Sequence, residues 1–319
     1  MILTRTGARL SRLCFGTLTV SPLQQNWEAE RAGDLFAYAY ERGINCFDTA
    51  ELYENYPHLK AMLGTGVPRE AVALASKSYA YDRETLMSSV DRALEQIGTD
   101  YLDFFLMHEQ ESEHTVRGHW EALEALMRLK EQGVIRHIGL STHFIAGVRA
   151  ATRYAAYFDA VHPIINLAGL GIQDGKKEEM LGAIDAFRSE KSAQKRACWI
   201  YGMKVFGGGN LLKNADASFR YALSLPQLDG FAIGMSSNAE VDYNTEFVNR
   251  KGDVSAELPP FREKKLHIAD WCIGCGNCIS RCNFEALSLV DGRAVVDHSR
   301  CVTCGYCSVA CPEFCIKVY

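Results

Sequence analysis

Long apolar runs are missing from this chain of 319 residues. No segment reaches the roughly 18 uninterrupted apolar residues that cross a bilayer as a helix. The start of the chain is charged at Arg5 and Arg9 and leads into no apolar core of the kind a secretion signal carries. The expectation is a cytoplasmic protein with no membrane partner. An excess of positive charge is missing too: 34 Lys and Arg stand against 39 Asp and Glu, a formal charge of −5, which argues against a nucleic-acid partner. No Gly-x-Gly-x-x-Gly follows the first apolar run, which weakens the case for a doubly wound open sheet. Cysteine is scarce before residue 254, with only Cys14, Cys46 and Cys198, and without a secretion signal a disulfide scaffold is not expected.

What is present before residue 254 is alternation. Short apolar runs at Leu13–Leu18, Ile44–Phe47, Ala71–Ala75, Tyr101–Met107, Ile135–Leu140, Ala160–Ile165, Cys198–Met203 and Gly230–Ile233 carry few charges, as strands buried on both faces do. Between them, Glu28–Glu41, Arg83–Ile97 and Val116–Glu131 place apolar residues at helical spacing. Eight strand–helix units predict an α/β fold, a (β/α)₈ TIM barrel, over residues 1–254. Pro259–Pro260 marks a linker over Gly252–Glu263. A small C-terminal α+β domain, rich in cysteine, is expected over residues 255–319.

That second domain holds the remaining nine cysteines. Cys272, Cys275, Cys278 and Cys282 are spaced Cys-x₂-Cys-x₂-Cys-x₃-Cys, and Cys301, Cys304, Cys307 and Cys311 repeat the spacing. Two-residue gaps let one tight loop present three thiolates to a single small body. Zinc knots instead separate Cys-x₂-Cys pairs by long gaps. Gly274, Gly276 and Gly305 suit close backbone turns. Over Trp271–Tyr319 the module resembles the bacterial two-cluster ferredoxins, Pro312 completing the pattern and Asn283 standing where a first proline would be. The resemblance implies two [4Fe–4S] clusters, with the last cysteine of each run serving the other cluster. One set is then Cys272, Cys275, Cys278 and Cys311, the other Cys301, Cys304, Cys307 and Cys282. Cys315, opposite Ala286 of the first repeat, reads as a packed small residue. Seven basic and seven acidic residues balance across 255–319, so the module lacks the long-range field of an acidic electron carrier.

In the first domain Asp48, Lys77 and His108 stand at the ends of three successive strands, with Tyr53 just beyond. The C-terminal strand ends of a barrel open on one face. A Lys ammonium lowers a neighbouring phenol's pKa, an Asp holds the Lys, and a His can hydrogen-bond a carbonyl that the Tyr protonates. Here the chain resembles the aldo-keto reductases from Leu3 to Asn249, through the hairpin around Gly7, Phe47-Asp48-Thr49-Ala50-x-x-Tyr53, Ser76-Lys77, Asp100–Asp103 through His108, and Ile135-Arg136-x-Ile138-Gly139-Leu140-Ser141. The resemblance implies that Tyr53 is the general acid, supported by Asp48, Lys77 and His108. The implied reaction is reduction of an aldehyde or ketone, or its reverse, on a small carbonyl or alcohol substrate. It also implies nucleotide contacts from Ser141, Thr142, His162, Asn166, Met203, Lys204, Gly207, Gly208, Ser236, Ser237, Glu240 and Asn244.

The departures bear on the cofactor. His162 stands where the family has Gln, and Met203 where it commonly stacks a Tyr on the nicotinamide. Gly234-Met235-Ser236-Ser237-Asn238-Ala239-Glu240 offers no cation to an NADP 2′-phosphate, and Glu240 suits a 2′-hydroxyl. NADPH is therefore expected to bind poorly, and two alternatives stay open: NAD(H) is the nucleotide, or the nicotinamide is lost. The glycines 207–209 are a candidate phosphate cradle. Hydride moves two electrons and a cluster one, and no flavin motif is evident, although a flavin is not excluded. Three readings stay open: a redox enzyme in which the clusters feed the barrel pocket, an NAD(H)-dependent carbonyl reductase with a docking module, and an electron-transfer adaptor with a non-catalytic barrel. A redox partner protein is compatible with the first and third. The loops Glu109–Thr115 and Leu167–Lys177 are candidates for shaping the pocket.

Overall fold

Eight parallel strands pair in chain order and close on themselves: β1 (Leu13–Gly16), β2 (Cys46–Asp48), β3 (Ala73–Ser78), β4 (Leu102–Met107), β5 (Ile135–Thr142), β6 (Ala160–Pro163), β7 (Trp199–Gly202) and β8 (Gly230–Ile233). The computed structural model describes residues 2–250, 252, 264–313 and 315–318. Helices α1 (Ala29–Glu41), α2 (Tyr56–Gly64), α3 (Arg83–Ile97), α4 (Glu113–Gly118), α5 (Trp120–Glu131), α6 (Ile145–Arg153), α7 (Lys177–Ala193), α8 (Ala215–Ser224) and α9 (Asn238–Asn249) surround the barrel. None of the described helices is long and apolar enough to cross a membrane.

The strands are buried on both faces because helices cover one side and the opposite walls fill the other. Alternate residues point inward. Cys14, Cys46, Ala73, Ala75, Phe104, Leu106, Ala160, Trp199 and Tyr201 form the packed interior, while Phe15, Phe36 and Phe47 stack in the outer layer. Leu3 pairs with Arg9 across the turn at Gly7, whose φ of 83° suits glycine. Asp103 accepts from Arg136, Arg69 and the Leu74 amide, so two motif residues of the sequence serve as a barrel brace.

One expected helix differs. Val116–Glu131 is two helices, α4 and α5, broken at His119. Gly118 weakens the helix there, and the His119 ring takes up the Thr115 carbonyl at 2.6 Å. β3 also runs further than expected, so Lys77 lies within it.

The second domain contains β9 (Leu266–Ile268), α10 (Asn277–Ser280), β10 (Leu287–Val290), β11 (Arg293–Val296), α11 (Tyr306–Val309) and β12 (Ile316–Val318). β9 pairs antiparallel with β12, and β10 with β11. Each cysteine run enters its own four-residue helix, α10 or α11. The proposed boundary at 254/255 and, apart from Gly252, the linker Gly252–Glu263 lie outside the described residues.

Candidate active site

The inward parity of the strands builds the site. Inward Cys46 is followed two residues on by Asp48, Ala75 by Lys77, Leu106 by His108, Ala160 by His162, and Tyr201 by Met203. Each second residue therefore projects into the same mouth. They line a cavity of about 1250 Å³, its opening included, together with Tyr53 from the loop after β2.

Lys77 is 1% exposed; its Nζ donates to Asp48 Oδ1 at 2.7 Å and to the Thr49 carbonyl at 2.6 Å. Burial disfavours its charge, but Asp48 and the nearby phenol outweigh burial and hold its pKa above the ordinary value. Asp48 Oδ2 accepts from the Tyr201 hydroxyl at 2.8 Å. Tyr201 also stacks on His162 with ring centroids 3.9 Å apart. The Lys77 Nζ stands 5.2 Å from the Tyr53 ring centre. The expected lowering of the Tyr53 pKa is not the net result. Burial raises it above 10, and Lys77 pulls down only part of that rise. Tyr53 is therefore a neutral phenol that carries its proton at neutral pH. His108 is edge-on to Tyr53 and stacks on Tyr79, with ring centroids 6.1 and 4.4 Å apart. Burial, then Lys77, push its pKa well below 6.5, so the imidazole is neutral. A buried phenol with its proton beside a neutral imidazole and a fixed ammonium can give a proton to a carbonyl oxygen.

Of the residues expected at a nucleotide, Ser141, His162, Met203, Lys204, Gly208, Ser236, Glu240 and Asn244 line this cavity. Asn244 is buried and its Oδ1 has no protein partner. Thr142, Asn166, Gly207 and Ser237 stand outside the lining. The side chains of three of them have local work: Thr142 bonds Phe144, Asn166 clasps the Leu170 backbone, and Ser237 caps α9. Glu240 Oε2 accepts from the Ser236 amide at 2.6 Å. The segment 234–240 itself offers no cation, but Lys264 reaches the same cavity. It arrives from beyond the barrel and bonds Gln24 Oε1 and Thr19 Oγ1. Burial, against the pull of Glu240, lowers its pKa to about 8.

The glycine loop 207–209, the candidate phosphate cradle, lines the cavity through Gly208 and Gly209 and also meets the module. A Cβ on Gly208 would meet the Val302 carbonyl oxygen at 2.0 Å, and Gly208 itself has φ 70°. Around it, Thr303 Oγ1 donates to the Gly208 carbonyl at 2.7 Å and Asn210 Nδ2 to the Cys301 carbonyl at 2.6 Å. The loop is the seat on which the second cysteine run docks. Thr303 pays for this fit with a left-handed φ of 47°, a strained conformation for a β-branched residue. The two candidate loops are also held by the module: Asn283 donates to Glu109 Oε2 at 3.0 Å, and Gln173 donates to the Asn283 carbonyl at 2.8 Å.

The cysteines of the two runs line two separate cavities. Cys272, Cys275, Cys278 and Cys311 line one cavity together with Cys315, and Cys282, Cys301, Cys304 and Cys307 line another. Backbone amides of Ala294, Ala286 and Thr303 point at the sulfurs of Cys272, Cys282 and Cys301 at 3.4–3.5 Å, as the sulfurs of a bound cluster would need. The residues present therefore fit an iron–sulfur cluster in each cavity. Cys315 is buried with its sulfur 3.3 Å from that of Cys311. Cys304 lines both its own cluster cavity and the barrel cavity that holds Tyr53.

Sequence reasoning missed four residues of the site. Tyr201 was open to detection from its parity with Trp199 and Met203. Tyr306, between Cys304 and Cys307, stands where the first run has Asn277, so overlaying the repeats would have exposed it. Glu109 and Lys264 carry no local signal.

A model of the aldo/keto reductase family matches residues 12–186, and a model of a 4Fe-4S dicluster domain matches residues 264–312. The chain is 31% identical over 297 residues to L-galactose dehydrogenase of Arabidopsis thaliana, across 77% of this chain and 86% of that protein. It is 32% identical over 110 residues to methylglyoxal reductase DkgB of Salmonella typhi, across 34% of this chain and 41% of that protein. The chain spans 41% to 52% of the length of the first curated relatives it matches. A Pseudomonas aeruginosa structure described as an aldo-keto reductase superposes with a TM-score of 0.63 at 23% identity, over 79% of this chain and 94% of that one. The holo form of a Bacillus halodurans aldo-keto reductase superposes with a TM-score of 0.60 at 18% identity, over 81% and 92%. At these identities the structures speak for the fold alone.

Proposed function

The chain belongs to the aldo/keto reductase family, and from that premise we propose that it interconverts a small carbonyl compound and its alcohol at Tyr53, exchanging electrons through two [4Fe–4S] clusters held by its own C-terminal module. The carrying observation is Cys304, a wall residue common to the barrel cavity and the second cysteine cavity. Reduction of a carbonyl to an alcohol takes two electrons and two protons, of which the one that ends on carbon is drawn from solvent entering the open cavity. Tyr53 gives the proton that ends on oxygen, and an N–H of the His108 ring donates the hydrogen bond that orients the carbonyl. Lys77, held by Asp48, stabilises the phenolate left behind. When bound, the clusters supply or take electrons one at a time, one for each cluster. The small substrates named for relatives, methylglyoxal among them, give the first panel to test.

The test is anaerobic: protein with reconstituted clusters is mixed with methylglyoxal or with an alcohol, and the cluster absorbance is followed. Substrate-dependent bleaching or recovery is expected. Absorbance that stays indifferent to every substrate in the panel, in protein of full iron content, would remove the proposal.

A second reading, with NAD(H) as hydride carrier and the module as a docked roof, draws on the buried and unpartnered Asn244 Oδ1. A dinucleotide would lie along Ser236, Glu240, Asn244 and Lys264. Glu240 beside Lys264 sets a near-neutral pair there, which suits a 2′-hydroxyl better than a 2′-phosphate. Turnover with NADH that survives mutation of Cys304 would favour this reading.

A further inference from the structure

Tyr306 belongs to the iron–sulfur module, yet its side chain ends inside the barrel site. Its hydroxyl is 3.5 Å from the Tyr53 hydroxyl and 3.4 Å from His108 Nε2. Its ring is edge-on to His108 and packs with Leu23, Ala50 and Tyr53. Close approach fixes its entry point: a Cβ on the preceding Gly305 would meet the Leu23 carbonyl oxygen at 2.6 Å.

A carbonyl that takes a proton from Tyr53 while bonded to His108 must put its oxygen between those same two atoms. That position is the one the Tyr306 hydroxyl holds. A phenol suits the task because it both donates and accepts, so neither the Tyr53 hydroxyl nor His108 Nε2 faces an apolar roof. The two contacts are long against the usual 2.7–2.8 Å of an O–H···O bond, so exchanging them costs little. The cysteine fold itself does not demand a tyrosine. The matching position in the first run is Asn277, exposed to solvent.

We propose that Tyr306 is a specificity-determining residue, an internal occupant of the substrate-oxygen position that a small carbonyl or alcohol must displace before reaction. This rests on the reading of Tyr53 as general acid. An occupant of this kind raises the apparent KM by the reciprocal of the fraction of molecules in which it is displaced and leaves the chemistry of the displaced state unchanged.

Full-length protein with reconstituted clusters would be assayed with propanal as wild type, Tyr306→Phe and Tyr306→Asn. The expected result is a KM lowered about three- to tenfold in both variants with kcat within about twofold, as removal of a competing conformer requires. Tyr306→Asn should also accept longer aldehydes such as octanal. A kcat lowered tenfold or more at unchanged KM would overturn the proposal and make Tyr306 a positioning residue, and unchanged values of both would overturn it as well. A readout without turnover is an anaerobic crystal soaked with propan-2-ol. The alcohol oxygen is expected between Tyr53 and His108 with Tyr306 swung away, at lower alcohol concentration in Tyr306→Phe. Alcohol bound with Tyr306 still in place, or an oxygen found there in neither protein, would overturn it. Tyr53→Phe separates the two failures: full turnover in that variant removes the reading of Tyr53, whereas Tyr53-dependent turnover with unmoved Tyr306 kinetics removes only the present inference.

Discussion

The two cysteine runs have one spacing and one local fold but opposite surroundings. Gly276 and Gly305 turn their chains with φ of 80° and 85°, and each run enters a four-residue helix. Yet Ile273 is 62% exposed where its counterpart Val302 is 2% exposed. Cys275 faces solvent where Cys304 faces the barrel cavity. Asn277 is exposed where Tyr306 is buried against Tyr53. Spacing decides what a run can bind, and the side chains between the cysteines decide what the bound group faces. One run is built to meet the outside and the other to meet the site. On the proposed function, electrons enter or leave near Cys275 and reach the pocket near Cys304.

The largest expected effect lies on the barrel side of that contrast. Tyr53→Phe keeps the buried ring and removes the hydroxyl with the proton it gives, so turnover should fall about 10²- to 10⁴-fold, the range of a general acid, with the melting temperature little changed. Lys77 is a poorer probe, because removing it strands a buried Asp48 charge at about 3–5 kcal/mol. Next come paired ligand variants. Cys304→Ser should abolish substrate-linked bleaching. Cys275→Ser should leave bleaching at the remaining cluster and slow, by tenfold or more, electron delivery to an external one-electron acceptor. Equal losses in both variants would break the division between an inner and an outer run.

Much of this was legible in the residues. The eight strands announced themselves because a strand buried on both faces must be apolar at nearly every position, and the period of two then sent Asp48, Lys77 and His108 to one mouth. The cysteine spacing marked out the two runs, and the resemblance to two-cluster ferredoxins supplied the expected division of their thiols. What stayed hidden depends on long-range contact. Nothing near Gly208 says that its missing side chain makes room for Val302, and nothing near Lys264 says that it reaches Thr19 and Gln24. Charged neighbours of Tyr53 were readable, but the depth of its burial was not, so the direction of its pKa was mistaken. The break at His119 turned on a ring bonding its own helix, which periodicity cannot see.

The docking surface between inner run and barrel gives a smaller effect. Gly208→Ala adds a methyl against the Val302 carbonyl at a residue with positive φ. The strain, about 1–3 kcal/mol at such a backbone position, falls on the seat of the module rather than on the barrel core. The expected outcome is a module that lifts. Limited proteolysis should cut the chain faster between the two domains, while thermal melting of the barrel changes little. Gly276→Ala, in the solvent-facing run where no atom lies within 4 Å of the added methyl, should share the backbone strain without lifting the module. If both variants behave alike, the asymmetry of the two runs owes nothing to docking.

The smallest effect tests the wall where the module's first described residue meets the barrel. Burial lowers the pKa of Lys264 to about 8, so its ammonium is present below that pH and is lost as pH rises through it. An anionic dinucleotide that uses this charge should bind more weakly at pH 9 than at pH 7, by about two- to fivefold for a partly screened contact. Lys264→Gln should bind NADH at pH 7 as the wild type does at pH 9 and show no slope between them. NADPH should respond more steeply than NADH in the wild type, since it carries two further negative charges past the same ammonium and past Glu240. Binding followed by fluorescence titration checks both. A slope that persists in Lys264→Gln would assign the titration to another group and return the module to a role confined to its clusters and Tyr306.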